Sequence, residues 1–126
     1  MRNEEEYYEC LALVDYLEIL KIQGNDVIYS HIPNETYTTS WNQKRKNKAV
    51  GVNAGIPDYL LVINNTLIFI EMKKLRKILK NGNMSKEDLL RENQKIWLEK
   101  INGTGNEAFV CYGFDEAKKV IDKLIK

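Results

Sequence analysis

Apolar residues recur every three or four positions across residues 4–22. This spacing predicts an amphipathic α-helix, because side chains three and four apart share one helix face. Cys10, Leu13, Leu17 and Leu20 form the apolar stripe, which we expect to pack against the core.

A different pattern follows, with the alternation of a half-buried β-strand over residues 26–32. Two further strands are predicted at about 58–63 and 66–72, joined by Asn64 and Asn65. Asparagine adopts the positive φ angles of a two-residue hairpin turn more readily than other non-glycine residues, so the two strands form a hairpin.

The remaining pattern completes one α/β domain over residues 1–126, with the order αβββαβα. We predict a polar loop at 34–50, a helix at 86–101 capped by Ser85, a strand at 107–112, and a last helix capped by Asp115 and running to Ile125.

Composition narrows the class of protein. The 126 residues, 44% hydrophobic and 29% charged, are typical of a soluble globular domain with a single core. A net charge of +1 means that any basic surface must be local. Cys10 and Cys111 lack metal-site spacing and are expected to be free, buried thiols in a reducing compartment. Without a signal-peptide pattern or a membrane span, we expect a cytoplasmic protein.

The hairpin brings two carboxylates together. If Ile63 pairs with Thr66, the register places Asp58 directly opposite Glu71, and alternation puts Lys73 on the same face as Glu71. Opposed Cβ atoms lie ~4.5–5.5 Å apart, so two carboxylates there repel each other unless a divalent cation lies between them. Oxygen ligands suit Mg²⁺ or Mn²⁺. The alternative is a strand that merely begins at Asp58 and a solvated Glu71–Lys73 pair, and we favour the metal site.

Glu6 heads the apolar stripe of the first helix. A buried lone acid is costly, so Glu6 is a candidate for a further ligand or a water-orienting group at the same site. The alternative, an N-terminal acid favoured by the helix dipole, stays open.

Several motifs together resemble a known family. They are His31–Glu35 (HIPNE), Gly51–Asp58 (GVNAGIPD), Glu71–Lys73 (EMK), Gln94–Leu98 (QKIWL) and the ending GFDEAKKVI at 113–121. The sequence is similar to the VRR-NUC subfamily of PD-(D/E)XK nucleases, especially its small stand-alone phage and bacterial members. The resemblance covers nearly the whole chain.

The resemblance implies a restriction-endonuclease-like core, with a mixed central sheet flanked by helices. It also implies one or two Mg²⁺ or Mn²⁺ ions held by Asp58, Glu71 and the backbone carbonyl of Met72. Lys73 would orient or activate the attacking water and stabilise the transition state, consistent with the needs of phosphodiester hydrolysis.

Two helical residues complete the implied site. Gln94 would support it from the helix after the hairpin, although the stretch between Lys73 and Gln94 is long. A glutamate of the first helix would assist, and we choose Glu6 over Glu9.

The implied activity is that of a metal-dependent DNA endonuclease. Stand-alone relatives favour branched DNA, above all four-way junctions, and act as homodimers; a phage-encoded member would work in the host cytoplasm. The alternatives are a nuclease acting on flaps, ends or nicked duplex, and a non-catalytic DNA-binding module with a relic site. A carboxylate-pair glycosidase is a distant third, because its acid and nucleophile would not favour Lys73 beside them. Such an enzyme would also need no metal.

Candidate DNA contacts lie on both sides of the hairpin. The residues that we expect to approach the DNA backbone are Lys44, Arg45, Lys46, Lys48, Gly51, Gly55 and Lys74. For the basic cluster, a solvated charge run is the alternative.

Four further residues are interpreted more simply. Tyr37 and Trp41 either stack on an unpaired base or cover the core. His31 is expected to be structural, and Trp97 is expected to belong to the core.

Overall fold

The computed structural model describes residues 4–33, 40–76, 79–83 and 90–125. In chain order, the elements are α1 (Glu4–Ile22), β1 (Val27–His31), α2 (Trp41–Ala49), β2 (Tyr59–Ile63), β3 (Thr66–Lys73), α3 (Glu92–Gly103), β4 (Glu107–Tyr112) and α4 (Phe114–Asp122).

The four strands form one mixed sheet in the order β1-β2-β3-β4. The β1–β2 and β2–β3 pairs are antiparallel, and β4 joins β3 in parallel. A parallel pair requires a crossover, and α3 provides it between β3 and β4. The predicted α/β class and mixed central sheet are confirmed.

The hairpin turn has the predicted geometry and register. Asn64 and Asn65 have φ angles of 46° and 76°, so both lie in the left-handed region that a two-residue turn requires. Ile63 pairs with Thr66, and the ladder continues to Tyr59 opposite Ile70. Asp58, which precedes Tyr59, and Glu71, which follows Ile70, occupy the next position of this ladder.

The core lies between the sheet and two helices, α1 and α4. All four residues of the predicted α1 stripe are buried, and they cluster with Ile68, Ile70 and Met72 of β3. These three alternate residues point to the face that α1 covers. The other face therefore carries Glu71 and Lys73.

Both cysteines are buried thiols outside any disulfide, as the sequence predicted. Burial raises the pKa of the Cys111 thiol to about 12, which keeps it protonated and unreactive.

The prediction of a polar loop at 34–50 was wrong over Trp41–Ala49, where α2 lies, and residues 34–39 lie outside the described residues. Ser40 caps this helix, with its hydroxyl oxygen accepting a hydrogen bond from the Gln43 backbone N–H at 3.2 Å. Ser-x-x-Gln is a capping-box sequence, so the signal was present in the chain. It was missed because α2 has no apolar stripe and buries no side chain.

Two helix starts also differ from the predictions. Helix α3 begins at Glu92 instead of 86, and the predicted cap Ser85 lies outside the described residues. Helix α4 begins at Phe114, so Asp115 lies within its first turn. Glu9 of α1 caps the N-terminus of α4, because its Oε1 accepts the Phe114 N–H at 2.8 Å.

Among the described residues, no helix combines the length and the apolar character that a membrane crossing needs.

Candidate active site

Asp58 is fixed at the start of β2 by two hydrogen bonds. Its backbone oxygen accepts the Ile32 N–H at 2.6 Å, which attaches it to the end of β1. Its side-chain Oδ2 accepts the Met72 N–H at 2.9 Å, which holds the carboxylate against β3. The side chain is therefore oriented along the end of the hairpin, and Asp58 is only 8% exposed.

Glu71 lies one register step beyond the last β2–β3 pair, across from Asp58. It is 4% exposed, so the two carboxylates are both buried at neighbouring positions. Lys73, two residues further along the same strand face, is half-buried. A pair of buried carboxylates is costly unless cations or hydrogen-bond donors compensate for it.

Gln94 connects these side chains from the first turn of α3. Its Oε1 accepts hydrogen bonds from the Arg91 backbone N–H at 2.9 Å and from Lys73 Nζ at 3.2 Å. Both partners can only donate, which fixes the orientation of the amide. The Nε2 group consequently points to Glu71 Oε2, at 3.4 Å.

The oxygen donors at this end of the hairpin fit a hard divalent cation. The N–H and C=O of one strand residue point to the same edge, so the Met72 carbonyl lies on the side of β3 that faces Asp58. Two buried carboxylates and a carbonyl match the ligands that Mg²⁺ and Mn²⁺ take. Among the described residues, no three His, Cys, Asp or Glu side chains are grouped to hold a metal, so the candidate set is two carboxylates plus the carbonyl.

The sequence model of the VRR-NUC domain matches residues 2–115. This chain belongs to the VRR-NUC domain family. Membership implies a nuclease-type function, with DNA as the substrate.

A solved structure described as a "VRR_NUC domain protein" matches the fold with a TM-score of 0.67 and 21% sequence identity. The match covers 99% of this chain and 91% of the other. At this identity it shows that the two share a fold, and no more. No curated protein matches the sequence.

The N-terminal glutamates of the VRR-NUC domain lie beside the end of β3. Glu5 Oε2 lies 3.9 Å from Lys74 Nζ, directly after the strand, and Glu9 caps α4. Glu9 thus has a structural task. Glu6 is partly exposed in the first turn of α1, a helix on the face opposite Glu71. Its catalytic role stays a prediction.

Two of the predicted DNA contacts do not lie at the surface. Lys74 points to the α1 side of β3, where it is 4% exposed and forms an ion pair with Glu5. Gly55 is buried with φ +95°, and a Cβ there would lie 2.6 Å from the backbone C and O of Asn93. Both residues therefore support the structure, and the prediction that they face DNA is not supported. Gly51 is exposed.

The basic cluster lies on α2, and all four cations are exposed there. Trp41 is 77% exposed, so it does not cover the core. Tyr37 lies outside the described residues.

His31 and Trp97 both contact the scaffold near the site. The His31 ring centroid lies 5.1 Å from that of Tyr59, in keeping with the predicted structural role. Trp97 is half-buried, and its Nε1 donates to the Ala54 carbonyl at 3.1 Å, which joins α3 to the segment before Asp58.

A cleft of about 360 Å³ opens beside Trp97, and none of the predicted catalytic side chains lines it. Its lining residues are Asn53, Ile96, Trp97, Lys100, Ile101 and Thr104. The candidate active site is instead the open end of the hairpin.

Proposed function

We propose that this VRR-NUC domain is a divalent-metal-dependent endodeoxyribonuclease. The observation that carries the proposal is the set of hydrogen bonds linking Lys73, Gln94 and Glu71, next to the Asp58 carboxylate. This arrangement gathers two acids, a cation and an oriented amide at one open end of the sheet, which suits hydrolysis of a phosphodiester.

Asp58, Glu71 and the Met72 carbonyl would hold Mg²⁺ or Mn²⁺. The ion would supply Lewis acidity toward the phosphate oxygens and would lower the pKa of an attacking water. Because Oδ2 of Asp58 already accepts the Met72 N–H, the carboxylate is held in position before any ligand binds.

Lys73 contributes positive charge and hydrogen-bond donors. Its ammonium group donates to Gln94 Oε1, and it has two further N–H bonds with which to orient a water or to contact a phosphate oxygen. A fixed cation close to the scissile group stabilises the negative charge that grows in the transition state. Gln94 is a positioning residue that holds both Lys73 and Glu71.

We further propose that the enzyme prefers four-way DNA junctions and acts as a homodimer. A two-fold dimer can present two active sites to opposed strands of a junction. An apolar row across the sheet supports a dimer surface: Ile28 pairs with Val62, and Val62 pairs with Leu67. Ile28 is 67% exposed and Leu67 is also exposed. The row lies on the Glu71 face, four strand positions or about 13 Å from Glu71, and would leave the site open.

The function is tested with labelled four-way junction, flap, linear duplex and single-stranded DNA, incubated with Mg²⁺, Mn²⁺ or EDTA. We expect metal-dependent, symmetric cutting of the junction by the wild type and none by Asp58→Asn. Asparagine can still accept the Met72 N–H but lacks the charge. Preferential cutting of flaps or ends would disprove the junction preference, and binding without cutting in either metal would disprove the enzyme.

Metal binding can be measured without activity. In EDTA, Asp58→Asn and Glu71→Gln should melt at or above the wild-type temperature, because each removes one of two buried like charges. Saturating Mg²⁺ or Mn²⁺ should raise the melting temperature of the wild type only; at 100 times Kd the stabilisation is ~2.7 kcal/mol. Equal metal-induced shifts in all three proteins would place the ion elsewhere.

The dimer surface is tested by Ile28→Glu, measured by light scattering after size-exclusion chromatography. We expect a dimer for the wild type and a monomer for the variant, since a carboxylate buried in an apolar interface is costly. Ile22→Glu is the matched control, because Ile22 is 85% exposed at the end of α1. A dimeric Ile28→Glu variant would rule out this surface.

A further inference from the structure

One aromatic and three basic side chains share one face of helix α2. At about 100° per residue, Trp41, Lys44, Arg45 and Lys48 fall within an arc of about 100°. We call these four residues the α2 outer face. Gln43 and Asn47, joined by a 2.7 Å side-chain hydrogen bond, lie on the reverse side.

Packing does not explain this helix. None of its residues is buried, although the structure describes all of them, and a nine-residue helix is marginally stable without tertiary contacts. Its Ser40 cap and the Gln43–Asn47 bond are local. Trp41 leaves a large aromatic ring 77% exposed, at a cost in apolar hydration.

Charge indicates what this face would bind. The helix carries four cations and no acid, while the whole chain has a net charge of only +1. A local cationic stripe is complementary to a polyanion such as the DNA backbone. Phosphates alone would not require an exposed indole beside the cations, whereas the flat face of a base stacks well on one.

The helix is tethered close to the candidate active site. Val52 N–H donates to the Asn47 carbonyl at 2.8 Å, which folds the chain back at the end of α2. Gly55 comes six residues after Ala49 and packs against Asn93, next to Gln94. The nine residues from Ala49 to Asp58 span at most about 32 Å, so the C-terminal end of α2 lies within about one duplex turn of Asp58.

We propose that Trp41 stacks on an unpaired base while Lys44, Arg45 and Lys48 contact the flanking phosphates. Paired bases are stacked on their neighbours and offer no free face, so a stacking tryptophan favours branch points and single strands over continuous duplex. The proposal rests on the proposed DNA nuclease function and names the element that selects DNA structure.

Binding is measured by fluorescence anisotropy in EDTA, with a four-way junction carrying unpaired bases at its centre, a single strand and a linear duplex. Trp41→Ala should weaken binding of the first two about 5- to 150-fold, the range for loss of one stacked base, and change duplex binding less than about twofold. Trp41→Phe should restore most of the affinity.

The cations are tested in the same assay over a range of salt. Lys44→Gln with Lys48→Gln should weaken all three DNAs and lower the slope of log K against log salt by about 1.8 in magnitude for duplex, at about 0.9 per phosphate contact. Lys46→Gln is the matched control, since Lys46 lies about 140° from Trp41 and should leave the slope unchanged. A slope that falls by about 0.9 in magnitude for Lys46→Gln would overturn the assigned face.

Tryptophan emission reports stacking directly. Subtracting the spectrum of Trp41→Phe leaves the emission of Trp41, which should be quenched by single-stranded DNA and not by duplex. Unchanged emission together with unchanged affinity of Trp41→Ala would overturn the proposal. Trp41 emission that does not respond to DNA, but changes when the protein binds vesicles containing phosphatidylserine, would also overturn the proposal. Helix α2 would then be a membrane contact.

The DNA-binding role of α2 and the nuclease activity are tested separately. A wild type that cuts DNA, with α2 variants that bind normally, overturns the role of α2 alone. Selective loss of binding in Trp41→Ala, with no cutting by the wild type, overturns the nuclease and leaves the α2 assignment standing.

Discussion

Replacing Lys73 by methionine is expected to lower the rate of DNA cleavage by about 10²- to 10⁴-fold. Methionine keeps a chain of similar length and removes the ammonium group. The Lys73 Nζ that donates to Gln94 Oε1 at 3.2 Å is then lost, together with the positive charge next to Glu71. Single-turnover cleavage of a labelled junction under saturating metal measures the chemical step.

Lys73→Arg separates charge from position. Arginine keeps the charge, but its planar guanidinium stays protonated and cannot reproduce the compact ammonium beside Gln94. Activity close to wild type for arginine would assign Lys73 to charge stabilisation, and loss in both variants would assign it to orientation or proton transfer. Melting temperature and junction affinity in EDTA verify that each variant is folded. Full activity of the methionine variant would remove Lys73 from the mechanism.

The hairpin could be predicted because its determinants are local. Asn64 and Asn65 define the turn, the turn fixes the register, and alternation then assigns a face to every residue up to Lys73. The neighbouring positions of Asp58 and Glu71 follow from these steps. The burial of Asp58 and Glu71 does not follow from them, since it depends on how the segment before β2 and helix α3 pack around these residues.

Gln94 shows where sequence patterns lose precision. Its side chain reaches Lys73 because α3 begins at Glu92, which makes Gln94 the third residue of the helix and lets its Oε1 accept the Arg91 N–H. A helix starting at 86 would place Gln94 in the middle of the helix, away from its first turn. Helix periodicity identifies a face well and a first residue poorly, because capping depends on single side chains.

Helix α2 was missed for a related reason. Hydrophobic periodicity detects helices that pack, and α2 packs no apolar face. Lys74 gives the converse error: a lysine following a strand looks solvent-exposed in the sequence, but the tertiary fold covers it with α1. Burial of single charged residues is decided by partners distant in the chain, such as Glu5.

Gly55→Ala is expected to lower the free energy of unfolding by about 2–5 kcal/mol. A Cβ with φ +95° costs about 1–2 kcal/mol for any L residue. Overlap with the Asn93 backbone at 2.6 Å adds about 1–3 kcal/mol, because backbone atoms cannot rotate away. The melting temperature should fall by roughly 8–19 °C, and urea denaturation gives the free energy directly.

Gly51→Ala is the matched control, since Gly51 has φ +88° and no atom within 4 Å of its Cβ position. It should lose only the conformational part, about 1–2 kcal/mol. At a temperature where both variants are fully folded, Gly55→Ala should also cut DNA more slowly, because displacing Asn93 moves the adjacent Gln94 away from Lys73 and Glu71. Equal destabilisation by the two substitutions would mean that α3 yields freely at Asn93. Gln94 would then need another anchor, and the Arg91 N–H bond to its Oε1 is the one that the structure offers.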